Sequence, residues 1–215
     1  DNMINKKGLL LVVSGPSGTG KGTICKDIVA KHEDINLSIS ATTRNPRVGE
    51  VEGKSYFFKT KEEFEAMVDR GEFLEHAMIY DNYYGTPKKA IFDELDMGRD
   101  VILEIEMQGA MQIKEVYPQA VFIFVLPPSL QELRNRIVGR GTETEEQIEK
   151  RFNSAYDEIK LLGDYDYFIF NNIVEKSAEE ILNILEVEKN KVSRYKKDIL
   201  DMFEKEIKNV KTIIK

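Results

Sequence analysis

The stretch LLLVVSGPSGTGKGT, residues 9–23, decides the fold of this chain. Residues 9–13 are all apolar, as expected of a parallel strand that helices cover on both faces. A glycine-rich segment follows, and after it Ile24, Ile28 and Val29 recur at helical spacing. The order strand, glycine loop, helix predicts a loop whose backbone N–H groups and helix N-terminus surround phosphate oxygens.

The spacing Gly15-x-x-x-x-Gly20-Lys21 matches the P-loop pattern. In that pattern the lysine reaches the bridge between the β- and γ-phosphates of a nucleoside triphosphate. Glycines are needed because side chains would keep the backbone away from the phosphates. We therefore predict an ATP-binding loop made of Gly15, Pro16, Ser17, Gly18, Thr19, Gly20, Lys21, Gly22 and Thr23.

Gly22 departs from the pattern, which has a Ser or Thr in contact with Mg²⁺ at that position. Two explanations stay open. Either Thr23 makes the contact, or the metal is held by ATP oxygens, water and a carboxylate from elsewhere in the chain. Glu104 is the candidate metal ligand, since it ends an apolar strand in the manner of a Walker B acid.

Composition limits the remaining possibilities. The 215 residues carry 31 Lys+Arg against 38 Asp+Glu, a net charge of −7, which argues against a broad nucleic-acid or anionic-membrane surface. One cysteine and two histidines argue against a disulfide and against a cysteine- or histidine-rich metal centre. No apolar run approaches the roughly 18 residues of a membrane span. We expect a cytoplasmic protein of one domain, with a small inserted subdomain.

Strand and helix patterns alternate along the chain. Buried-strand patterns return at residues 101–106, 120–126 and 167–170, each followed by helical periodicity. This predicts an α/β fold with a P-loop NTPase-type parallel sheet flanked by helices. Between the first two core segments lies a mixed α/β insert, beginning with one extended piece over residues 37–43. Helix N-caps are predicted at Thr60, Thr86, Ser129 and Ser177.

The C-terminal tail carries one apolar stripe at helical spacing. We expect it to pack against the body of the protein, with a partner helix or a dimer contact as the alternative. The stripe consists of Val192, Tyr195, Ile199, Phe203, Ile207, Val210 and Ile214.

Further motifs resemble the guanylate kinase family and occur in the family's order. They are SATTRNPRVGE at residues 40–50, Gly53-x-x-Tyr56, FLE at 73–75, NYYGT at 82–86, ILEIEMQG at 102–109 and GRGTET at 139–144. Together with the P-loop they cover the chain from Leu9 to about Asn171. The resemblance implies a nucleoside monophosphate kinase that transfers the γ-phosphoryl group of ATP to GMP or dGMP, giving ADP and GDP, directly in line and with Mg²⁺.

The chemistry of the insert agrees with that resemblance. Arg44 and Arg47 flank a proline and can converge on one phosphate dianion, for which forked guanidinium groups are well suited. A carboxylate such as Glu75 complements the N1–H and NH₂ donors of guanine and rejects adenine. At Glu106 many relatives carry Asp. The resemblance implies a GMP site made of Ser40, Arg44, Arg47, Tyr56, Glu75, Tyr84, Gly85, Thr86 and Glu106.

The resemblance also implies a lid of basic residues over the transferring phosphoryl group. Arg136, Arg140 and Arg151 match lid and lid-flanking arginines, and Asn171 matches a position near the ATP base. Phosphoryl transfer depends on positioning and charge neutralisation, so Lys21 and Arg44 join them as expected catalytic groups. The implied division is core with the P-loop at 3–37, GMP-binding subdomain at 38–98, core at 99–138, lid at 139–150, and core with the C-terminal helix at 151–215.

Three alternatives compete with this interpretation. A catalytically inactive interaction module of the same fold is disfavoured because the P-loop and the lid arginines are present. A P-loop GTPase is disfavoured because no Asn-Lys-x-Asp motif occurs. A kinase for a different nucleoside monophosphate is the third. The expected partners are ATP and GMP, without nucleic acid or membrane, and the chain is expected to be a monomer or homodimer.

Overall fold

The computed structural model describes residues 3–139, 141 and 143–213. Nine strands are described: β1 Leu10–Ser14, β2 Ile35–Leu37, β3 Ala41–Thr42, β4 Phe57–Phe58, β5 Phe73–Ile79, β6 Asn82–Pro87, β7 Asp100–Glu104, β8 Val121–Leu126 and β9 Tyr167–Phe170. The described helices are α1 Lys21–Lys31, α2 Lys61–Asp69, α3 Lys88–Asp96, α4 Met107–Val116, α5 Leu130–Gly139, α6 Glu145–Ile159, α7 Val174–Glu188 and α8 Val192–Ile213. Among the described residues, no helix is long and apolar enough to cross a membrane.

The main sheet has the order β2-β7-β1-β8-β9, and all its strands are parallel. Strand β1 lies at its centre, where all five residues are buried. Its side chains alternate between two cores: Leu11 and Val13 pack with residues of α1 and α7, whereas Leu10 and Val12 pack with residues of α3 and α4. The predicted parallel sheet flanked by helices is confirmed. Because β1 is the central strand, the P-loop that follows it lies at the middle of the carboxyl ends of the strands.

A second sheet, of order β4-β3-β6-β5, forms the insert. Strand β3 runs parallel to β4 and antiparallel to β6. Its small core centres on Phe64 of α2, whose ring stacks on Phe73 and Tyr83. The insert therefore has its own core.

The single extended piece predicted over residues 37–43 is wrong, because two strands of different sheets share it. Strand β2 ends at Leu37 in the main sheet, and β3 begins at Ala41 in the second sheet. The backbone hydrogen bonds change partner between them: the N–H of Ser38 donates to Ile102, while the carbonyl of Ser40 accepts from Phe57. Both strands are extended, so local sequence does not reveal the change of sheet.

Two of the four predicted caps are confirmed and two are wrong. Thr60 forms a full capping box with Glu63, and the Ser129 hydroxyl accepts from the N–H of Glu132. Thr86 instead lies within β6, and Ser177 lies inside α7, which begins at Val174. Both hydroxyls donate to buried acceptors in the tertiary structure, Glu75 and Asn171, and this outweighs local capping.

The tail forms one 22-residue helix, α8, and the expectation that it packs on the body holds only near its start. Tyr195 is 8% exposed, whereas every residue from Phe203 to Ile213 is exposed. Arg194 attaches the base of the helix by donating to Glu188 and to the carbonyl of Gln119. From Phe203 to Val210 the stripe has no cover within the described chain, and Ile214, its last predicted member, lies outside the described residues.

Candidate active site

The P-loop connects β1 to α1, and its backbone is held by a hydrogen bond from Asn171. The Asn171 side chain is buried, donates through Nδ2 to the Thr19 carbonyl at 2.6 Å and accepts from the Ser177 hydroxyl at 2.9 Å. Gly20 has φ of +83°, and a Cβ there would lie 2.6 Å from Asn171 Nδ2. Glycine is therefore required at position 20 by both backbone conformation and space.

Lys21 extends from the first turn of α1 into a cleft of about 390 Å³. Its Nζ donates to the Pro16 carbonyl at 3.4 Å. Burial lowers the pKa of Lys21, while the nearby carboxylates of Glu104 and Glu158 oppose that shift. The cleft is lined by Gly15, Ser17, Lys21, Glu104, Ile105, Glu106, Met107, Gln108 and Glu158. A phosphate ligand would meet a partly desolvated ammonium group here.

The Glu104 carboxylate occupies the space beside Gly22. Strand pairing of β1 with β7 sets Glu104 opposite Val13, directly before the P-loop. A Cβ on Gly22 would lie 3.1 Å from Glu104 Oε2 and 3.4 Å from Oε1. The missing Ser or Thr at this position thus leaves room for a carboxylate. Carboxylate oxygen suits Mg²⁺, which proteins bind through one or two carboxylates together with substrate phosphates.

Arg44 is positioned by Glu50, a residue to which the sequence analysis gave no role. The two guanidinium nitrogens of Arg44 bind the two carboxylate oxygens at 2.8 and 2.9 Å, and the backbone N–H of Arg47 donates to the same carboxylate. These contacts hold the pKa of Glu50 at about 2. The Arg44 guanidinium also lies 5.3 Å from the Tyr56 ring centre.

Two of the other predicted phosphate-contacting side chains of the insert, Tyr56 and Tyr84, lie beside Arg44. Tyr56 meets Tyr84 edge to face at 6.2 Å. The Arg47 side chain is exposed, and Ser40 is half-buried at the crossing between the two sheets. The structure thus brings Arg44, Tyr56 and Tyr84 together around one polar surface.

Glu75 is buried, 8% exposed, at the pairing of β5 with β6. Its Oε1 accepts from the Thr86 hydroxyl at 2.8 Å. Burial raises the pKa of Glu75 and the negative charge of Glu106 raises it further, while the Thr86 hydrogen bond acts in the opposite direction. A buried carboxylate with one donor has acceptor capacity left for a ligand.

The start of helix α4 lies between the insert and the P-loop. A Cβ on Gly109 would lie 3.3 Å from Glu75 Oε2, so the carboxylate contacts the first turn of α4. Glu106 is the N-cap of that helix, and Glu104 ends the strand before it. The segment 104–109 therefore has one side toward the carboxylate of the insert and the other toward Lys21. Gly85, also predicted for this site, is buried against Phe73 and Phe64.

Of the basic residues predicted after β8, Arg151 contacts the P-loop directly. Arg151 donates to the Ser17 hydroxyl at 2.7 Å and forms an ion pair with Glu143. Arg136 donates to the Asn171 carbonyl at 3.3 Å and pairs with Glu132. Arg140 lies outside the described residues. Asn171 itself uses both side-chain amide atoms in the contacts beneath the P-loop, and its predicted place near the ATP base stays a prediction.

Glu158 lines the cleft and was missed by the sequence analysis. Burial raises its pKa, and the positive charge of Lys21 opposes that shift. It follows Arg151 by seven residues, two turns along α6, so both lie on the same face of that helix. The seven-residue spacing from Arg151 is the sequence feature that could have identified Glu158 as a site residue.

Comparison with known proteins agrees with this arrangement. The family model described as "Guanylate kinase" matches residues 7–188. A guanylate kinase of Clostridioides difficile is 67% identical over 205 residues, covering 95% of this chain and 100% of that protein. One from Caldanaerobacter subterraneus subsp. tengcongensis is 56% identical over 193 residues, covering 90% and 94%.

A solved structure supports the same conclusion. The crystal structure of guanylate kinase from Anaplasma phagocytophilum matches with a TM-score of 0.71 and 37% identity, covering 90% of this chain and 92% of that one. The family model extends over most of the chain, and the relatives align almost from end to end. The chain belongs to the guanylate kinase family.

Proposed function

We propose that this chain transfers the γ-phosphoryl group of ATP to GMP or dGMP, giving ADP and GDP. The observation that carries the proposal is the juxtaposition of two sites across residues 104–109. On one side is the buried Glu75 carboxylate with its Thr86 hydrogen bond, and on the other is Lys21 of the P-loop. A nucleotide base read at the first site would carry its phosphate toward the second.

Guanine selection would rest on the insert. The ionised Glu75 would accept hydrogen bonds from N1–H and the exocyclic NH₂ of guanine, with Glu106 near the amine and Ser40 and Thr86 offering hydroxyls. Adenine has an acceptor at N1, so it would leave the buried carboxylate facing a lone pair. Sites built on such hydrogen bonds discriminate by about 10⁴ to 10⁵. The phosphate of GMP would be bound by Arg44, Arg47, Tyr56 and Tyr84.

Transfer would occur directly in line, without a covalent intermediate. The GMP phosphate is already anionic near neutral pH, so no general base is required. Charge on the equatorial oxygens would be neutralised by Lys21, by Arg44 and by the arginines in and beside the lid, Arg136, Arg140 and Arg151. The contact of Arg151 with Ser17 supports this role, since it brings a guanidinium group to the P-loop itself. Asn171 would hold the loop and lie near the ATP base.

Mg²⁺ with ATP is the proposed cofactor, and the residues present fit it. The Glu104 carboxylate beside Gly22 and the Thr23 hydroxyl would hold the ion, directly or through water. Within the described residues no three His, Cys, Asp or Glu side chains form a ready metal cluster, which agrees with an ion bound mainly through phosphates. A bound Mg²⁺ would supply positive charge that offsets the negative charge of the ATP phosphates.

The proposed division of the chain follows the two sheets. Residues 38–98 would bind GMP, residues 139–150 would form the lid, and residues 3–37, 99–138 and 151–215 would form the core and the C-terminal helix. The separate core around Phe64 supports an insert that moves as a unit. We also propose a cytoplasmic location, supported by the single buried cysteine, with ATP and GMP as partners.

The experiment that tests this function is ADP formation from ATP and Mg²⁺ with GMP, dGMP, AMP, dTMP or UMP as acceptor. We expect turnover with GMP and, at most, traces with AMP and the pyrimidines. Lys21→Met should abolish turnover while GMP still binds, whereas the matched change Lys26→Met, at an exposed position of the same helix, should have no effect. Equal turnover with AMP, or full activity of K21M, would refute the proposal.

A further inference from the structure

Ser14 is the last residue of β1, and its hydroxyl makes a contact to which the proposed function gives no role. The side chain is fully buried, 0% exposed, and its Oγ donates to the Ile105 carbonyl at 2.7 Å. The two residues follow neighbouring positions of the main sheet, because β1 pairs with β7 and sets Val13 opposite Glu104. Ser14 therefore connects the strand before the P-loop to the segment that separates the two proposed nucleotide sites.

The hydroxyl satisfies a carbonyl that the sheet leaves without a backbone donor. The ladder between β1 and β7 ends where the N–H of Ile105 donates to the Val13 carbonyl. Beyond that point Gly15 belongs to the P-loop, and among the backbone hydrogen bonds of the described residues none donates to the Ile105 carbonyl. A carbonyl removed from water costs free energy when it has no donor. The Ser14 hydroxyl supplies that donor.

Ile105 is held at three points. Its N–H is bound by Val13 and its carbonyl by Ser14. Its side chain packs on the first turn of α4, since a Cβ on Gly109 would lie 2.5 Å from Ile105 Cδ1. The same Cβ would lie 3.3 Å from Glu75 Oε2. A rotation of the peptide after Ile105 would therefore disturb the start of α4 beside the carboxylate of the insert.

Glu106 is the side chain that depends most on this peptide. The carbonyl that Ser14 binds belongs to the peptide bond between Ile105 and Glu106, so the hydrogen bond fixes the plane from which the Glu106 side chain starts. Glu106 is the N-cap of α4, but its carboxylate makes no capping hydrogen bond to that helix. The residue is exposed and lines the cleft that contains Lys21. Its direction is thus set mainly by its backbone.

We infer that Ser14 is a positioning residue for guanine recognition. Its hydroxyl holds the peptide between Ile105 and Glu106 so that the Glu106 carboxylate faces the exocyclic NH₂ of guanine. The inference rests on the proposed function, which places Glu106 near that amine. Ser14 is fully buried, so it acts through Glu106 and not by touching a nucleotide.

The test compares GMP with inosine monophosphate, which keeps N1–H but lacks the exocyclic NH₂. We expect the wild type to prefer GMP by about 10- to 100-fold in kcat/KM, the range of one charge-assisted hydrogen bond. Glu106→Ala should reduce this preference about tenfold, and Ser14→Ala should reduce it about fivefold with KM for ATP little changed. The double variant should match Glu106→Ala alone, because the carboxylate through which Ser14 acts is then missing.

Ser177→Ala is the matched control. It removes the same atom from another buried serine, whose hydroxyl donates to Asn171 at 2.9 Å in the contact that holds the P-loop. Chemical denaturation would show how much stability each variant loses, and Ser177→Ala should keep the wild-type preference for GMP. Ser14→Cys keeps the side-chain size but donates only weakly, so its preference should lie between those of the wild type and Ser14→Ala.

An unchanged GMP preference in Ser14→Ala, whatever its loss of stability or turnover, would overturn the inference. So would an equal loss of preference in Ser177→Ala, or effects of S14A and E106A that multiply in the double variant. A wild type that uses GMP and inosine monophosphate equally would also overturn it. The proposed function fails separately, if the wild type does not phosphorylate GMP at all.

Discussion

Replacing Glu75 by Gln should increase stability while it removes activity. The carboxylate is 8% exposed and has one hydrogen-bond donor, Thr86, for its two oxygens. Burial raises its pKa, so in the folded protein the charged form is the unfavourable one. The amide of Gln keeps an acceptor for Thr86 and carries no charge. The free energy of unfolding at pH 7 should therefore rise by about 1 kcal/mol, or about 2–4 °C in Tm for a chain of this size.

The sign of the pH dependence follows from the same shift. A carboxyl group whose pKa is higher in the folded state binds more protons folded than unfolded over the interval between the two pKa values. At low pH Glu75 is protonated in both states and does not destabilise the fold. As the pH rises above about 4.5, the ordinary pKa of Glu, the free energy of unfolding of the wild type declines. The gain of Glu75→Gln should accordingly be largest at pH 7 and should vanish toward pH 4.

The effect on activity should be much larger and opposite. The Gln side chain offers one acceptor and one donor to two guanine donors, so kcat/KM for GMP should fall by about 10³-fold or more. Thermal unfolding at pH 4 to 8 and steady-state turnover would be measured on the same samples, with the exposed Glu115→Gln of α4 as the control. A destabilised E75Q at pH 7, or one that retains a tenth of the wild-type kcat/KM, would refute the reasoning.

Three further perturbations test the rest of the site. Asn171→Ala leaves the Thr19 carbonyl without its buried partner; we expect a loss of about 2 kcal/mol in chemical denaturation and a higher KM for ATP, and an unchanged KM would count against a clamp. Gly22→Ala places a methyl group about 3.1 Å from the Glu104 carboxylate, so the Mg²⁺ concentration for half-maximal turnover should rise several-fold, and no change would separate that carboxylate from the metal. Glu50→Gln weakens the two-bond contact that orients the Arg44 guanidinium. The KM for GMP should therefore rise about tenfold while the KM for ATP stays constant. An equal rise in both would contradict a GMP-specific role.

Most of the core architecture could be predicted from short segments. Every residue of β1, β7 and β8 is buried except the last residue of β7. A parallel strand covered by helices on both faces has no side facing solvent, so its sequence is mostly apolar and easy to recognise. The capping box at Thr60 and the P-loop could also be predicted. Both depend on backbone hydrogen bonds and φ preferences that act over only a few residues. Family resemblance then assigned the insert.

Other features depend on contacts between distant residues. Thr86 and Ser177 have the sequence of N-caps, but their hydroxyls find buried acceptors 11 and 6 residues away, and the helices begin elsewhere. Glu50 and Glu158 are ordinary acids in the sequence. They become site residues only because Arg44 and Lys21 lie beside them in the folded chain.

The sequence by itself determined the phosphate loop, the parallel core and the family, because each depends on local periodicity, glycine conformation or motif order. Only the tertiary structure explains the glycine at position 22. The space that a side chain would occupy there is taken by the carboxylate of Glu104, 82 positions later in the chain. It also decided that the C-terminal stripe is mostly uncovered. Periodicity shows that a helix has an apolar face, but only the packing of the whole chain shows whether another part of that chain covers it.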